Sequence, residues 1–190
     1  MAEDPYVYPG TSVLRNRLDV RDGEELARRE AIATALRLAQ LRERPVPGRY
    51  DLQHLQAFHR NIFGDIYAWA GETRTVAITK AKSPFALPEH VAGYLNGVLA
   101  ELPAENYLRD LSRDRTVERL THYYAEINAA HPFREGNGRT QRAFLGQLAK
   151  EAGYRLAWER ADPERNIDAS RASLHGDDRA LHALLSDILD

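Results

Sequence analysis

The chain has 190 residues, the usual span of one domain and enough to bury a real core. Its 26 Lys and Arg stand against 28 Asp and Glu, a net charge of −2, which excludes a global field holding the protein on nucleic acid or an acidic membrane. There is no cysteine, which excludes disulfides, thiolate nucleophiles and cysteine zinc sites and suits a reducing compartment, so the cytoplasm is the expected location.

The segment 1–22 leads in. Its start, Met1-Ala-Glu-Asp-Pro5, is acidic where a signal peptide carries basic and then apolar residues, and no apolar run in the chain approaches the roughly 20 residues of a membrane span. A soluble, untargeted protein is expected. Asp22 with Glu25 reads as an N-cap and its reciprocal partner, opening a helix that turns Leu26, Ile32, Leu36 and Ala39 to the core before Pro45, Pro47 and Gly48 end it. Asp51 caps a second helix with Leu52, Leu55, Phe58 and Ile62 at helical spacing. After Trp69-Ala-Gly71 the alternating, β-branched run Arg74–Thr79 and the turn-like Lys80–Phe85 predict a short hairpin. Pro88 suits the first turn of a helix through Val91, Leu95 and Leu99, and another runs from about Ser112 to Ala130. Beyond residue 142 a helix continues to Gly153, Asp162-Pro163 starts a short one, and Leu181, Leu184, Leu185 and Ile188 mark a final amphipathic helix. The fold class is therefore mainly α, one domain over 1–190 with one small β-hairpin.

Between the two central helices lies His131-Pro-Phe-Arg-Glu-Gly-Asn-Gly-Arg-Thr-Gln-Arg142, a base, an acid, two glycines, an amide and two guanidinium groups in one loop and helix start. Gly136 and Gly138 let the backbone turn sharply beside a ligand, and the following helix presents free N–H groups and the positive end of its dipole, a place suited to phosphate. Arg139 and Arg142, three residues apart, project from one helix face with planar forks that match phosphate oxygens. Glu135 is a hard oxygen ligand of the kind Mg²⁺ uses together with substrate phosphates. A neutral His131 imidazole is matched to take a proton from an attacking hydroxyl. Each residue alone has a plain structural explanation as a cap, an ion pair or a turn; the set in this order does not. His54, His59, His90, His122, His175 and His182 show no metal-ligand spacing and read as structural or surface residues.

The loop resembles the Fic motif: His, Pro, Phe, any residue, Asp or Glu, Gly, Asn, Gly, Arg, two free positions, Arg. The likeness extends from Tyr6-Val-Tyr-Pro-Gly10 through Tyr67-Ala-Trp-Ala-Gly71 to Gly153-Tyr154. It implies a single Fic-type helical domain and an enzyme that moves AMP from ATP to a hydroxyl of a target protein. His131 would be the base, Glu135 the Mg²⁺ ligand, and Gly136, Asn137, Gly138, Arg139 and Arg142 the nucleotide-binding set. Phe133 would anchor the loop. The hairpin would be the flap on which a target segment docks, with Thr79, Lys80 and Phe85 as its candidate residues. Gly138 stands where the related Doc kinases carry lysine. A pseudoenzyme that keeps ATP, or transfer of another phosphate-containing group, is the alternative. Many Fic proteins resemble one another in an inhibitory helix with Ser or Thr four residues before a Glu; no glutamate here has that spacing. The resemblance therefore implies a toxin restrained by a small antitoxin whose glutamate reaches Arg142, with type II topoisomerase ATPase subunits as a target class. Trp158 and Tyr154 read first as core-packing residues, with an adenine pocket as the alternative.

Overall fold

A computed structural model describes residues 4–80 and 83–190, with the backbone alone given for Lys80, Ser83 and Pro84. Helices α1 Gly23–Glu43, α2 Leu52–Phe63, α3 Pro88–Leu99, α4 Glu101–Ala104, α5 Arg113–Ala130, α6 Asn137–Glu151, α7 Pro163–Ser173 and α8 Arg179–Ile188 build it, with the strands β1 Thr79–Lys80 and β2 Ser83–Pro84. Their ends follow the local chemistry. Asp51, Ser112 and Asp162 accept the backbone N–H groups of His54, Arg115 and Arg165, and Pro163 occupies the first turn of α7. Gly153 follows α6 with φ +92°, a left-handed stop that a side chain would resist.

α5 and α6 form the centre. Val117, Leu120, Tyr124 and Ile127 of α5 meet Phe144, Leu145 and Leu148 of α6, while α8 closes that core with Leu181, Leu184, Leu185 and Ile188. Burying each such side chain contributes about 1.5–3 kcal/mol, so this packing holds the helix ends on either side of the 131–136 loop. A second cluster joins Leu26 of α1 to Ile62 and Phe63 of α2 and to Ile66, Tyr67 and Ala70 after it.

Three expectations need correction. Ile32 and Leu36 do not face the core: they are 73% and 60% exposed, and Ala39 is exposed as well. The inward face of α1 runs instead through Leu26, Glu30, Ala33, Thr34 and Leu38, so it turns a carboxylate and a hydroxyl toward the neighbouring helices. The Asp22 cap accepts the Glu25 N–H at 2.8 Å, but Glu25 does not reciprocate; its carboxylate turns to Arg28 and Arg29 at 2.5 and 2.6 Å. The hairpin is shorter than the alternation suggested, with Thr79 opposite Pro84 and Lys80 opposite Ser83. Upstream the backbone bonds elsewhere, Arg74 N–H to the Pro132 carbonyl and Thr75 N–H to the Tyr6 hydroxyl. The sequence pattern also missed the left-handed turn at Asn106, Tyr107 and Leu108, with φ of 50°, 54° and 63°.

Candidate active site

His131 caps the C-terminus of α5 in the left-handed conformation, φ 45°, and thereby turns the chain out of the helix. Phe133 follows, 1% exposed, its ring stacked on His59 at 3.9 Å. Gly136 closes the turn at φ +82°, where a Cβ would lie 2.2 Å from the Phe63 ring, so only glycine fits.

Asn137 opens α6 but its amide is spent within the loop. Its Oδ1 accepts from the Phe133 N–H at 2.8 Å and its Nδ2 donates to the Phe133 carbonyl at 2.7 Å, which ties the two ends of the turn together. Gly136 provides no side-chain cap, and the first helical bond is that of the Thr140 N–H to the Gly136 carbonyl at 3.0 Å. The N–H groups of Asn137, Gly138 and Arg139 thus lack an acceptor among the described residues, as at any open helix start. Arg142 reaches back one turn along α6: its Nη1 lies 3.3 Å from where a Cβ on Gly138 would sit. It forms no ion pair among the described residues.

Arg139 is held differently. Its guanidinium donates to Glu30 at 2.6 Å, to the Thr34 hydroxyl at 3.2 Å and to Glu135 at 3.3 Å, and lies 4.7 Å over the Phe63 ring. The Tyr67 hydroxyl donates to the other Glu30 oxygen, and burial followed by that carboxylate pushes the phenol up. The sequence separated Arg139 and Arg142 by three positions and so paired their roles; the structure gives one a carboxylate from α1 and leaves the other beside Gly138.

The Glu135 carboxylate is 44% exposed, and its Oε1 accepts the Gly136 N–H at 2.8 Å. Oε2 has no protein partner among the described residues. A hard, half-exposed oxygen beside three free N–H groups fits a cation that a polyphosphate brings with it. His59 fixes the carbonyl of this residue. Its Nδ1 accepts the Gly71 N–H at 2.8 Å, which leaves Nε2–H to donate to the Glu135 carbonyl at 2.9 Å. Burial lowers its pKa to about 4, so it is neutral at physiological pH.

Phe85 is 8% exposed and stacks on the His131 ring at 3.8 Å and 15°. The ring it packs on is that of the candidate base. Thr79 is exposed on β1; the side chain of Lys80 lies outside the described residues. A cleft of about 650 Å³ opens beside Arg139 and Arg142, walled by Leu41, Pro45, Phe58 and Trp158. Tyr154 does not line it and instead donates its hydroxyl to the Leu111 carbonyl at 2.8 Å.

A profile of the Fic/DOC family matches residues 49–149. The chain belongs to the Fic/DOC family. It is 39% identical to the probable protein adenylyltransferase Fic of Escherichia coli K12, over 98% of this chain and 92% of that protein. It is also 39% identical to the protein adenylyltransferase VbhT of Bartonella schoenbuchensis, matching 97% of this chain but spanning only 38% of VbhT. Among solved structures, the N-terminal Fic domain of a putative cell filamentation protein from Bartonella quintana, with bound ADP, superposes with a TM-score of 0.90 at 30% identity, covering 97% of this chain and 94% of that one. BepC from Bartonella tribocorum, with bound AMPPNP, gives 0.89 at 26% identity, covering 97% and 96%. The Fic fold therefore extends over nearly the whole chain, well beyond the matched motif region. Among the described residues no group of three or more His, Asp or Glu is arranged to hold a metal ion, and no helix is long and apolar enough to cross a membrane.

Proposed function

We propose that this chain is a protein adenylyltransferase, transferring AMP from ATP to a hydroxyl side chain of a target protein. The observation that carries the reading is what meets at the start of α6: three free N–H groups, the Arg142 guanidinium beside Gly138 and the Glu135 carboxylate in the turn, directly after His131. Such a site binds a polyphosphate through backbone and guanidinium donors. The Fic relatives named as adenylyltransferases, and the solved relatives with ADP or AMPPNP bound, support the nucleotide and the reaction class.

The target oxygen bonds to the α-phosphorus as the bond from that phosphorus to the bridging oxygen of the β-phosphate breaks. AMP remains on the target and pyrophosphate leaves, while His131 takes the hydroxyl proton. Phe85 fixes the plane of the imidazole, and the open N–H groups stabilise charge on the phosphates. Glu135 would hold a Mg²⁺ ion that arrives with the nucleotide, and that ion would supply positive charge against the leaving pyrophosphate.

Arg142 also bears on regulation. It forms no ion pair among the described residues and lines a cleft that also holds Arg42, Lys150 and Arg155, which supports restraint by a small antitoxin that brings a glutamate to it. The protein is then the cytoplasmic toxin of a pair, and type II topoisomerase ATPase subunits are the targets to test first. ATP labelled at the α or the γ position decides the reaction. Label from the α position on protein is the expected result; label from the γ position alone would make the chain a kinase and end this reading.

A further inference from the structure

Among the described residues Arg74 is one of the largest fully buried side chains, 2% exposed, and it forms no ion pair there. A charge taken out of water without a counter-ion costs several kcal/mol unless hydrogen bonds replace its hydration, so its partners matter. All of them are main-chain carbonyls. Nε donates to His131 at 2.7 Å, Nη1 to Val76 at 2.7 Å, and Nη2 to Ala86 at 2.5 Å and Ala130 at 3.2 Å. Burial lowers its pKa from the ordinary value, yet a guanidinium remains charged at physiological pH.

These partners belong to two structures. Ala130 and His131 end α5, where the last carbonyls lack helical partners and carry the negative end of the dipole, the place where a cation is favoured. Val76 and Ala86 are the two legs of the flap, on either side of β1 and β2. Main-chain bonds run parallel to the guanidinium: Arg74 N–H to Pro132 at 2.8 Å and Ala86 N–H to Ala129 at 3.2 Å. One side chain therefore carries both flap legs and the peptide unit of the candidate base. Phe85, adjacent to Ala86, then presents its ring to the His131 imidazole.

We propose that Arg74 is a positioning residue that couples the flap to the base, so that docking of a target strand on the flap and placement of the His131 imidazole are one event. The proposal rests on the reading of His131 as base and of the hairpin as docking flap. A loop fastener alone would require only one of the two sets of carbonyls. A planar fork with donors on several edges reaches all four carbonyls at once, and the three donors of a lysine ammonium reach both sets less completely.

The test is hydrogen exchange by mass spectrometry on the full chain, comparing wild type with Arg74→Lys and Arg74→Gln, alongside ADP affinity and transfer of α-label. In Arg74→Gln the segments 76–86 and 130–133 gain exchange together by about tenfold, the effect of losing one buried hydrogen bond. α6 and α8 keep wild-type protection, ADP affinity stays within about twofold since Arg74 lies outside the phosphate-binding turn, and label transfer falls. Arg74→Lys, keeping the charge and part of the reach, is intermediate on both segments. The proposal is overturned if one segment loosens while the other stays protected, or if transfer is unchanged when both loosen. If Arg74→Gln does not fold, Arg74→Lys decides on the same criteria. Wild type that transfers no label would sink the adenylyltransferase reading, while the joint or separate loosening of the two segments would still decide the coupling.

Discussion

Glu30, midway along α1, accepts a hydrogen bond from Arg139 at 2.6 Å, with the two side chains only 12% and 24% exposed. The first arginine of the motif thus has its counter-charge supplied from outside the motif, and the same guanidinium lies 3.3 Å from Glu135. Removing the Glu30 charge leaves a half-buried cation with one carboxylate, which it then draws closer. We expect Glu30→Ala to lower stability by about 1–3 kcal/mol, the range for a lost charged hydrogen bond. Chemical denaturation of the single variants and the Glu30→Ala, Arg139→Ala double variant checks it: the two losses should be strongly non-additive, and additive losses would show that the pair is not coupled.

Gly136 and Gly138 should respond differently to the same substitution. At Gly136 a methyl group meets the Phe63 ring at 2.2 Å in a left-handed backbone, whereas at Gly138 the nearest atom is the end of the flexible Arg142 side chain at 3.3 Å. Gly136→Ala should abolish ADP binding by calorimetry and destabilise the fold; Gly138→Ala should weaken binding while leaving the melting temperature near wild type. Equal tolerance at both would mean that the turn is not the ligand's cradle.

His59 bridges two buried main-chain groups, the Gly71 N–H and the Glu135 carbonyl. His59→Phe keeps the stack on Phe133 but leaves both groups without partners, at about 1–3 kcal/mol each. The variant should therefore unfold at distinctly lower denaturant, and a midpoint equal to wild type would show that water replaces both bonds.

Acid should destabilise the protein through His54. It is 2% exposed, accepts the Tyr50 N–H at 3.0 Å, and burial depresses its pKa below the ordinary value of about 6.5 despite the opposing Val46 carbonyl. The unfolded chain binds the proton first as pH falls through about 6.5, so stability is complete above that pH and declines below it. Melting temperature should fall from pH 7 downward, and His54→Asn should flatten that decline; an unchanged slope in the variant would remove His54 from the cause.

The helix ends were legible because they depend on neighbours in sequence: Asp51, Ser112, Asp162, Pro163 and Gly153 each act within one turn. The loop from His131 to Arg142 was legible because its residues are contiguous. The face of α1 was not, since its apolar residues occur on more than one side and the inward one is decided by Glu30 and Thr34 meeting Arg139. Arg74 was hidden for a similar reason. Its segment alternates like a strand, and only the folded chain brings the α5 terminus and both flap legs around it.

The central claim is that His131 takes the proton from a hydroxyl attacking a nucleotide held at the start of α6. His131→Ala compared with wild type, measuring transfer from α-labelled ATP and ADP affinity on the same preparations, tests it most directly. We expect transfer to fall by about 10²–10⁴-fold with ADP affinity essentially unchanged, because the base is lost while the phosphate site stays intact. Wild-type transfer by a folded His131→Ala protein would contradict it.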